Sequence, residues 1–380
     1  MPADPSPREV PFVNLRAQID EERARLLPVV TAALERGDYI GGGDIERLEG
    51  ELAIRYGVEH VVALNSGTDA LMFGLLALGI GRGDEVITPS NSFVASTASI
   101  VHVGATPVFA DVGDDQNIDP ARIAAKVTSR TKAIMPVHLT GRICDMDAIG
   151  EIARRHGLKI VEDAAQSIGS TYRGRNAGSF GDVGCFSMHP LKNLNAAGDA
   201  GFLATADAAI AARIRKLRNH GMVDRDTIGE FGFVSRLDTL QAAILRIRLE
   251  RLDSVIQRRR HNAALYRRLL DATHVYIPPE RPETFDTFHT FVIQVDRRDA
   301  LKAWLGDRKI GTAIHYPRPI HLQPAAERLG GRIGDLPVTE RQATRILSLP
   351  IHQFLSEDDI AYVARSTNEF FEDDNAIRRL

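Results

Sequence analysis

Four residue types, met in order along the chain, could together do chemistry. Asn65-Ser66-Gly67-Thr68 places small polar residues just before an apolar helical pattern containing Leu71, Leu75 and Leu78. Free N–H groups and the positive end of a helix dipole at such a start suit a phosphate, though the same four residues also read as a simple N-cap. Phe93 follows the run Glu85–Thr88 and Pro89-Ser90-Asn91-Ser92. It could stack on a flat ligand, but taken alone it reads more readily as a core phenylalanine. Asp163 closes the apolar run Leu158–Val161. A carboxylate buried there must meet a cation or a proton-bearing nitrogen, because an unpaired buried charge is costly. Gln166 lies three residues on and can hydrogen-bond in the same neighbourhood. Lys192 sits between the apolar runs Val183–Met188 and Phe202–Thr205, in a small-residue loop that ends Gly198-Asp199-Ala200-Gly201. By itself this lysine could be one more surface charge. With Asp163, Phe93 and the helix start it makes the set that a pyridoxal phosphate site requires. Lys192 would form the Schiff base, and Asp163 would keep the pyridine nitrogen protonated. Gly67, Thr68 and Ser187 would receive the phosphate.

Such residues need a scaffold that brings strand ends together. Short apolar runs recur at 60–64, 85–88, 106–111, 133–137, 158–163, 183–188 and 202–205, most bounded by turn residues and separated by helical periodicity. Strands alternating with helices predict a mostly parallel, seven-stranded sheet flanked by helices, with ligands at the carboxyl ends of the strands. Asp119-Pro120 reads as an N-cap followed by proline at the first helical position. Ahead of the sheet, Leu26, Leu27, Val30 and Ala33 form a narrow helical stripe that ends at Gly37. Gly41-Gly42-Gly43 reads as a turn, since no strand precedes it as a phosphate loop would need. His138 reads as a satisfied buried histidine more readily than as a ligand contact. A long helical pattern over 236–270 leads to Pro278-Pro279 and Pro282. Beyond it, 290–295 and 346–349 read as strands, 298–305 as a helix, and Ser356-Glu357-Asp358-Asp359 as a capping box for a last helix reaching Phe371. The expected organisation is a large α/β domain over 1–255, with an N-terminal helical segment, and a smaller α+β domain over 256–380.

Composition narrows the function classes. The chain has 380 residues, 44% apolar and 26% charged, with a net charge of −3, which argues against a partner bound by electrostatics, whether nucleic acid or membrane. Arg258-Arg259-Arg260 fits a solvated helix face. Two cysteines, Cys144 and Cys185, with no zinc-ligand spacing suggest a reducing compartment and no metal. The first residues are polar and proline-rich with no apolar signal core, and no apolar run is long enough to span a bilayer. A cytoplasmic protein is expected.

Across nearly its whole length the chain resembles the DegT/DnrJ/EryC1/StrS family of sugar aminotransferases, which are fold-type I pyridoxal phosphate enzymes. The match is carried by Asn65 through Leu71, Gly83-Asp84-Glu85-Val86-Ile87, Pro136-Val137-His138-Leu139, Val161 through Gln166, and Phe186-Ser187 on to Lys192-Asn193. Arg236-Leu237-Asp238, Gln241-Ala242-Ala243, His315-Tyr316-Pro317 and Leu349-Pro350-Ile351 complete it. The resemblance implies Lys192 as cofactor lysine and proton shuttle, Asp163 at the ring nitrogen, Gln166 near the ring hydroxyl and Phe93 over the ring. It also implies Gly67, Thr68 and Ser187 at the phosphate, glutamate as amino donor, a keto-sugar as acceptor, and a homodimer with active sites at the subunit boundary. A nucleotide-linked hexose ranks first as acceptor. A non-nucleotide keto-sugar such as an 8-keto-octulosonate, a cofactor-dependent sugar dehydratase and a regulatory homologue are the alternatives. Relatives that act as dehydratases replace the lysine with histidine, so Lys192 favours transamination. Two places depart from the pattern. The loop after the lysine, often Gly-Asp/Glu-Gly-Gly in the family, reads Gly198-Asp199-Ala200-Gly201 here, which slightly restricts the backbone. Val234 stands where many members place an asparagine that reaches the partner subunit's phosphate, and Ser235 is the nearest candidate substitute.

Overall fold

The computed structural model describes residues 8–372; the proline-rich first residues, on which the expected lack of a signal core rests, lie outside them. Helix α1 (Leu15–Arg36) is capped by Asn14, whose side chain accepts from Ala17 N, and it stops at Gly37 in the left-handed region (φ 67°). Of the stripe read from the sequence, Leu26 and Ala33 are buried and Leu27 is exposed. Gly41 and Gly42 form the turn into α2 (Gly43–Tyr56).

The sheet then builds up through β1 (His60–Leu64), α3 (Gly67–Ala77), β2 (Glu85–Pro89), α4 (Val94–His102), β3 (Thr106–Ala110), α5 (Pro120–Ile123) and β4 (Thr131–Ile134). After α6 (Met146–His156) and β5 (Lys159–Asp163), β6 (Thr171–Tyr172) and β7 (Arg175–Asn176) leave the sheet as a small ribbon. β8 (Val183–Ser187), β9 (Gly201–Thr205) and α7 (Ala208–Leu217) finish the unit. Strand order is β1-β9-β8-β5-β4-β2-β3. β2, β3, β4, β5 and β8 pair in parallel, while β9 runs antiparallel to both β1 and β8. Asp119 caps α5 as expected, accepting from Ala121 N at 2.9 Å.

The reversal of β9 matters for the site. Six strands end at one edge of the sheet, and β9 begins there. The segment joining β8 to β9 is therefore a hairpin loop at the carboxyl edge, closed by the Ser187–Gly201 pair and by Met188 N donating to Ala200 O at 2.8 Å.

The helical pattern over 236–270 is not one helix. It divides into α8 (Thr239–Leu249) and α9 (Leu252–Leu269) at Glu250-Arg251. The break lets one apolar face serve two cores. Leu245, Leu249, Leu252 and Ile256 join the core beneath the sheet, and Ala263, Leu265 and Tyr266 join a second one. That second core lies between α9, α10 (Arg298–Asp307), α12 (Glu357–Glu372) and the antiparallel sheet β10-β12-β13 (Val275–Tyr276, Phe291–Val295, Ile346–Leu349). β11 (Thr284–Phe285) pairs with β6 across the junction, and α11 (Pro337–Ala343) precedes β13. Ser356 and Asp359 cap α12 reciprocally: Asp359 N donates to Ser356 Oγ at 3.1 Å, and Ser356 N to Asp359 Oδ2 at 2.9 Å. No helix among the described residues is long and apolar enough to cross a membrane.

Candidate active site

The start of α3 is built by close approach of three segments. Ser66 caps the helix, its Oγ accepting from Asp69 N at 3.1 Å. A Cβ on Gly67 would lie 2.7 Å from Ser187 Cβ, and one on Gly201 would lie 2.3 Å from Ser66 C. Only glycine fits at either position. The backbone N–H groups that open α3 thus stand beside the end of β8, where Ser187 sits, and form a cradle for an anion.

Glu162 and Asp163 are consecutive on β5, so their side chains leave opposite faces of the sheet. Glu162 is fully buried and satisfied: it accepts from Gly178 N (2.8 Å), Phe180 N (2.6 Å), Gly181 N (2.6 Å) and His138 Nε2 (2.9 Å). Cys144 N donates to His138 Nδ1 at 3.2 Å, which leaves the ring hydrogen on Nε2. His138 is thus the satisfied core histidine that its local sequence suggested. Asp163 accepts from Ser96 Oγ at 2.6 Å and from Ala165 N at 3.2 Å. Burial raises its pKa despite those bonds and despite the charge of Lys192. Ser96 is itself held by Ser92, whose hydroxyl lies 2.6 Å away in the turn that leads into α4.

The lysine loop is tied down on both sides of Lys192. Lys192 N donates to His189 O at 2.8 Å. Asn193 Nδ2 reaches Thr287 O (3.0 Å), and Asn195 Nδ2 reaches back to Pro190 O (2.6 Å). The Asn195 amide also exchanges hydrogen bonds with Gln18 of α1 (2.9 and 3.0 Å), and Arg248 of α8 donates to Asn195 O at 2.8 Å. Arg248 is in turn paired with the buried Glu22. The Lys192 amine projects into the cleft, and burial lowers its pKa to about 8 against the opposing pull of Asp163. A neutral amine is therefore accessible near neutral pH.

One cleft brings together every residue singled out from the sequence: Gly67, Thr68, Phe93, Asp163, Gln166, Ser187 and Lys192. Phe93 is 55% exposed at the start of α4, so it is not a core phenylalanine. Its ring lies 6.1 Å from that of Tyr316. Gln166 accepts from Thr140 N at 2.8 Å and donates to Tyr316 OH at 3.3 Å. Sequence reasoning missed Ser96, whose helical run Val94-Ala95-Ser96-Thr97-Ala98-Ser99 carries no sign of a buried acceptor. It also missed His289, which has no motif around it. Ser235 does not take over from the missing asparagine. It is fully buried, its Oγ donates to Asn65 Oδ1 at 3.2 Å, and the same Oγ accepts from Asn65 N at 3.4 Å. The hydroxyl is spent on holding Asn65, next to the α3 cradle, within its own chain.

The residues present fit a pyridoxal phosphate group: an anion cradle at α3, an aromatic face, a buried carboxylate with accepting capacity to spare, and an amine close to neutrality. Comparison with known proteins agrees. The DegT/DnrJ/EryC1/StrS aminotransferase family matches residues 20–368, and the chain belongs to it. It is 43% identical over 356 residues to UDP-N-acetyl-3-dehydro-alpha-D-glucosamine 3-aminotransferase of Acidithiobacillus ferrooxidans, covering 93% of this chain and 96% of that one. It is 40% identical over 366 residues to a pleiotropic regulatory protein of Geobacillus stearothermophilus, covering 95% and 98%. Among solved structures, DesV of S. venezuelae in complex with a ketimine intermediate superposes with a TM-score of 0.94 at 42% identity, covering 96% of this chain and 99% of that one. NtdA of Bacillus subtilis, solved with bound cofactor PMP, superposes with a TM-score of 0.88 at 32% identity, covering 95% and 85%. The class is that of pyridoxal phosphate-dependent sugar aminotransferases.

Proposed function

We propose that this enzyme transfers an amino group from an amino acid, glutamate by family resemblance, to a nucleotide-linked keto-sugar in amino-sugar biosynthesis. The observation that carries the reading is the meeting of Lys192, its amine lowered to about 8, with the under-satisfied Asp163 in one cleft. The substrate class is supported by the nucleotide-sugar aminotransferase at 43% identity.

Bound in this cleft, pyridoxal phosphate supplies an aldehyde that condenses with amines and a ring that draws off electrons. Gly67, Thr68 and Ser187 would hold its phosphate, Phe93 would cover the ring face, Gln166 would sit beside the ring hydroxyl and Asp163 would face the ring nitrogen. Lys192 Nζ, neutral and not joined to the cofactor, would take the proton from the substrate's Cα and deliver it to the cofactor's reacting carbon. The loop ties at Asn193 and Asn195 keep that nitrogen at one place on the cleft wall. Lys192→Ala is expected to lower the half-reaction with amino donor by roughly 10³-fold or more, as loss of a positioned proton-transfer group does. Turnover near wild type would sink the assignment. A regulatory protein with the same fold is the second reading, favoured by the relative at 40% identity. Retention of both Lys192 and Asp163 weighs against it, and product formation from a keto-sugar panel separates the two.

Three further features belong to this reading. The enzyme works as a homodimer with sites at the subunit boundary. In support, Val223, Ile228, Phe231, Phe233 and Val234 are exposed along one segment, Phe231 at 96%. The chain divides into a cofactor domain over 1–255 and a smaller domain over 256–380, in keeping with α9 passing from the first core to the second. Both cysteines are buried and unpaired, which supports a cytoplasmic setting.

A further inference from the structure

Residues 286–290 pass behind the lysine loop in a backbone conformation that a chain does not adopt freely. Phe288 has φ +48°, in the left-handed region that a bulky side chain avoids. Contacts from several elements hold it there. Gly141 comes so close that a Cβ would lie 2.8 Å from Phe288 N and 3.0 Å from His289 N, and Thr287 N donates to Gly141 O at 3.0 Å. Asn193, the neighbour of Lys192, donates to Thr287 O at 3.0 Å. From α9, Arg259 Nη1 divides itself between Phe288 O (3.2 Å) and His289 O (3.1 Å).

Arg259, expected from the sequence on a solvated helix face, instead turns inward from α9, an unusual use of an arginine. It is buried, no carboxylate among the described residues pairs with it, and burial lowers its pKa to about 10. A desolvated guanidinium placed on two carbonyls, behind a strained residue, is the kind of over-determined local structure that clusters at functional sites. Its effect is to fix His289 on the cleft wall beside Lys192. His289 Nδ1 is enclosed and has no hydrogen-bond partner. A buried polar atom left without a partner calls for one. Lys192, on a flexible four-carbon stem in the same cleft, can supply it.

We propose that His289 is a positioning residue, a neutral imidazole whose Nδ1 accepts a hydrogen bond from the Lys192 amine whenever that amine is free. The proposal rests on the reading of Lys192 as the reactive amine. The groups facing His289 are Lys192, Arg259, His315 and His189, and together with burial they hold its pKa well below the ordinary histidine value. Protonation would place a further cation beside Lys192 and Arg259, so the ring stays an acceptor through the neutral range. Lys192 also feels the charge of Asp163, which lines the same cleft.

The test is competitive acetylation of the cofactor-free protein between pH 6 and 10. Mass spectrometry of the Lys192 peptide reads the titration midpoint of this one amine, with surface lysines as internal standards. The wild-type midpoint should fall near the value of about 8 set by burial. His289→Leu removes the acceptor that favours the charged amine and should lower the midpoint by about one pH unit, while His289→Asn should hold it within a few tenths. His289→Met replaces the leucine variant if that one does not fold. An unchanged midpoint in the leucine or methionine variant would overturn the proposal. A raised midpoint would overturn it as well, since it would mean that His289 had been a repelling cation. Borohydride fixation of pyridoxal phosphate to the Lys192 peptide of wild-type protein tests the underlying reading separately.

Discussion

Glu162 and Asp163 are adjacent carboxylates on one strand, both buried, and they are put to opposite uses. Glu162 accepts three backbone N–H groups and one imidazole hydrogen, so its charge is fully taken up in holding the 178–181 turn and His138 against β5. Asp163 accepts only Ser96 Oγ and Ala165 N, and burial pushes its pKa up. One carboxylate is spent on structure; the other keeps accepting capacity turned to the cleft. Burial alone does not distinguish a structural acid from a functional one. The count and origin of its donors does.

The sharpest way to break this contrast is to neutralise each acid in turn. Asp163→Asn is expected to lower turnover by roughly 10²–10³-fold, the range for removing one preorganised electrostatic group, while the cofactor-free protein melts at or above the wild-type temperature. The sign follows from the shift. A carboxyl whose folded pKa is raised weakens the fold as pH rises from its unfolded pKa to its folded one, and the cost is fully present above the folded pKa, where the melts are compared. A clear fall in melting temperature would mean that Asp163 is structural after all. Glu162→Gln should behave in reverse, costing about 3 kcal/mol of stability because it leaves buried donors facing an amide. The folded fraction should keep most of its kcat. Denaturant melts paired with single-turnover rates read both quantities, and a loss of kcat without loss of stability would erase the distinction.

A smaller effect probes the other end of the site. The Lys192 amine is lowered from 10.5 to about 8, so between those values the folded protein binds fewer protons than the unfolded chain. Stability of the cofactor-free enzyme should therefore rise as pH increases from 8 to 10.5, by something on the order of 2 kcal/mol. Lys192→Met should flatten that rise. A wild-type stability curve flat across the window would contradict the burial of this amine.

Much of this arrangement is legible in the sequence because the chemistry sits at strand ends. Asn65-Ser66-Gly67-Thr68, Asp163 and Lys192 each follow an apolar run closely enough to be placed at the carboxyl edge of a parallel sheet, and there the structure puts them. Phe93 could be placed near the site but not exposed to it, because exposure depends on what packs above α4. The two-helix reading of 236–270 was out of reach for a related reason. Its periodicity is continuous, and only the existence of two separate cores makes the break at Glu250-Arg251 favourable. Ser235 looked available as a donor until its hydroxyl proved to be engaged by Asn65, far away in the chain.

The sequence by itself determined the fold class and the family, and it singled out Lys192 and Asp163, which the structure brings to one cleft. Those follow from local patterns, in apolar runs, turn residues and motif order, which need no knowledge of what lies across the molecule. Tertiary structure alone decided that β9 runs backwards and turns the lysine segment into a hairpin loop. It alone also decided that Glu162 is satisfied by the 178–181 turn while Asp163 has little more than Ser96 to answer it. Burial and hydrogen-bond supply are set by partners distant in the chain, and a carboxylate acquires its role only when those partners arrive.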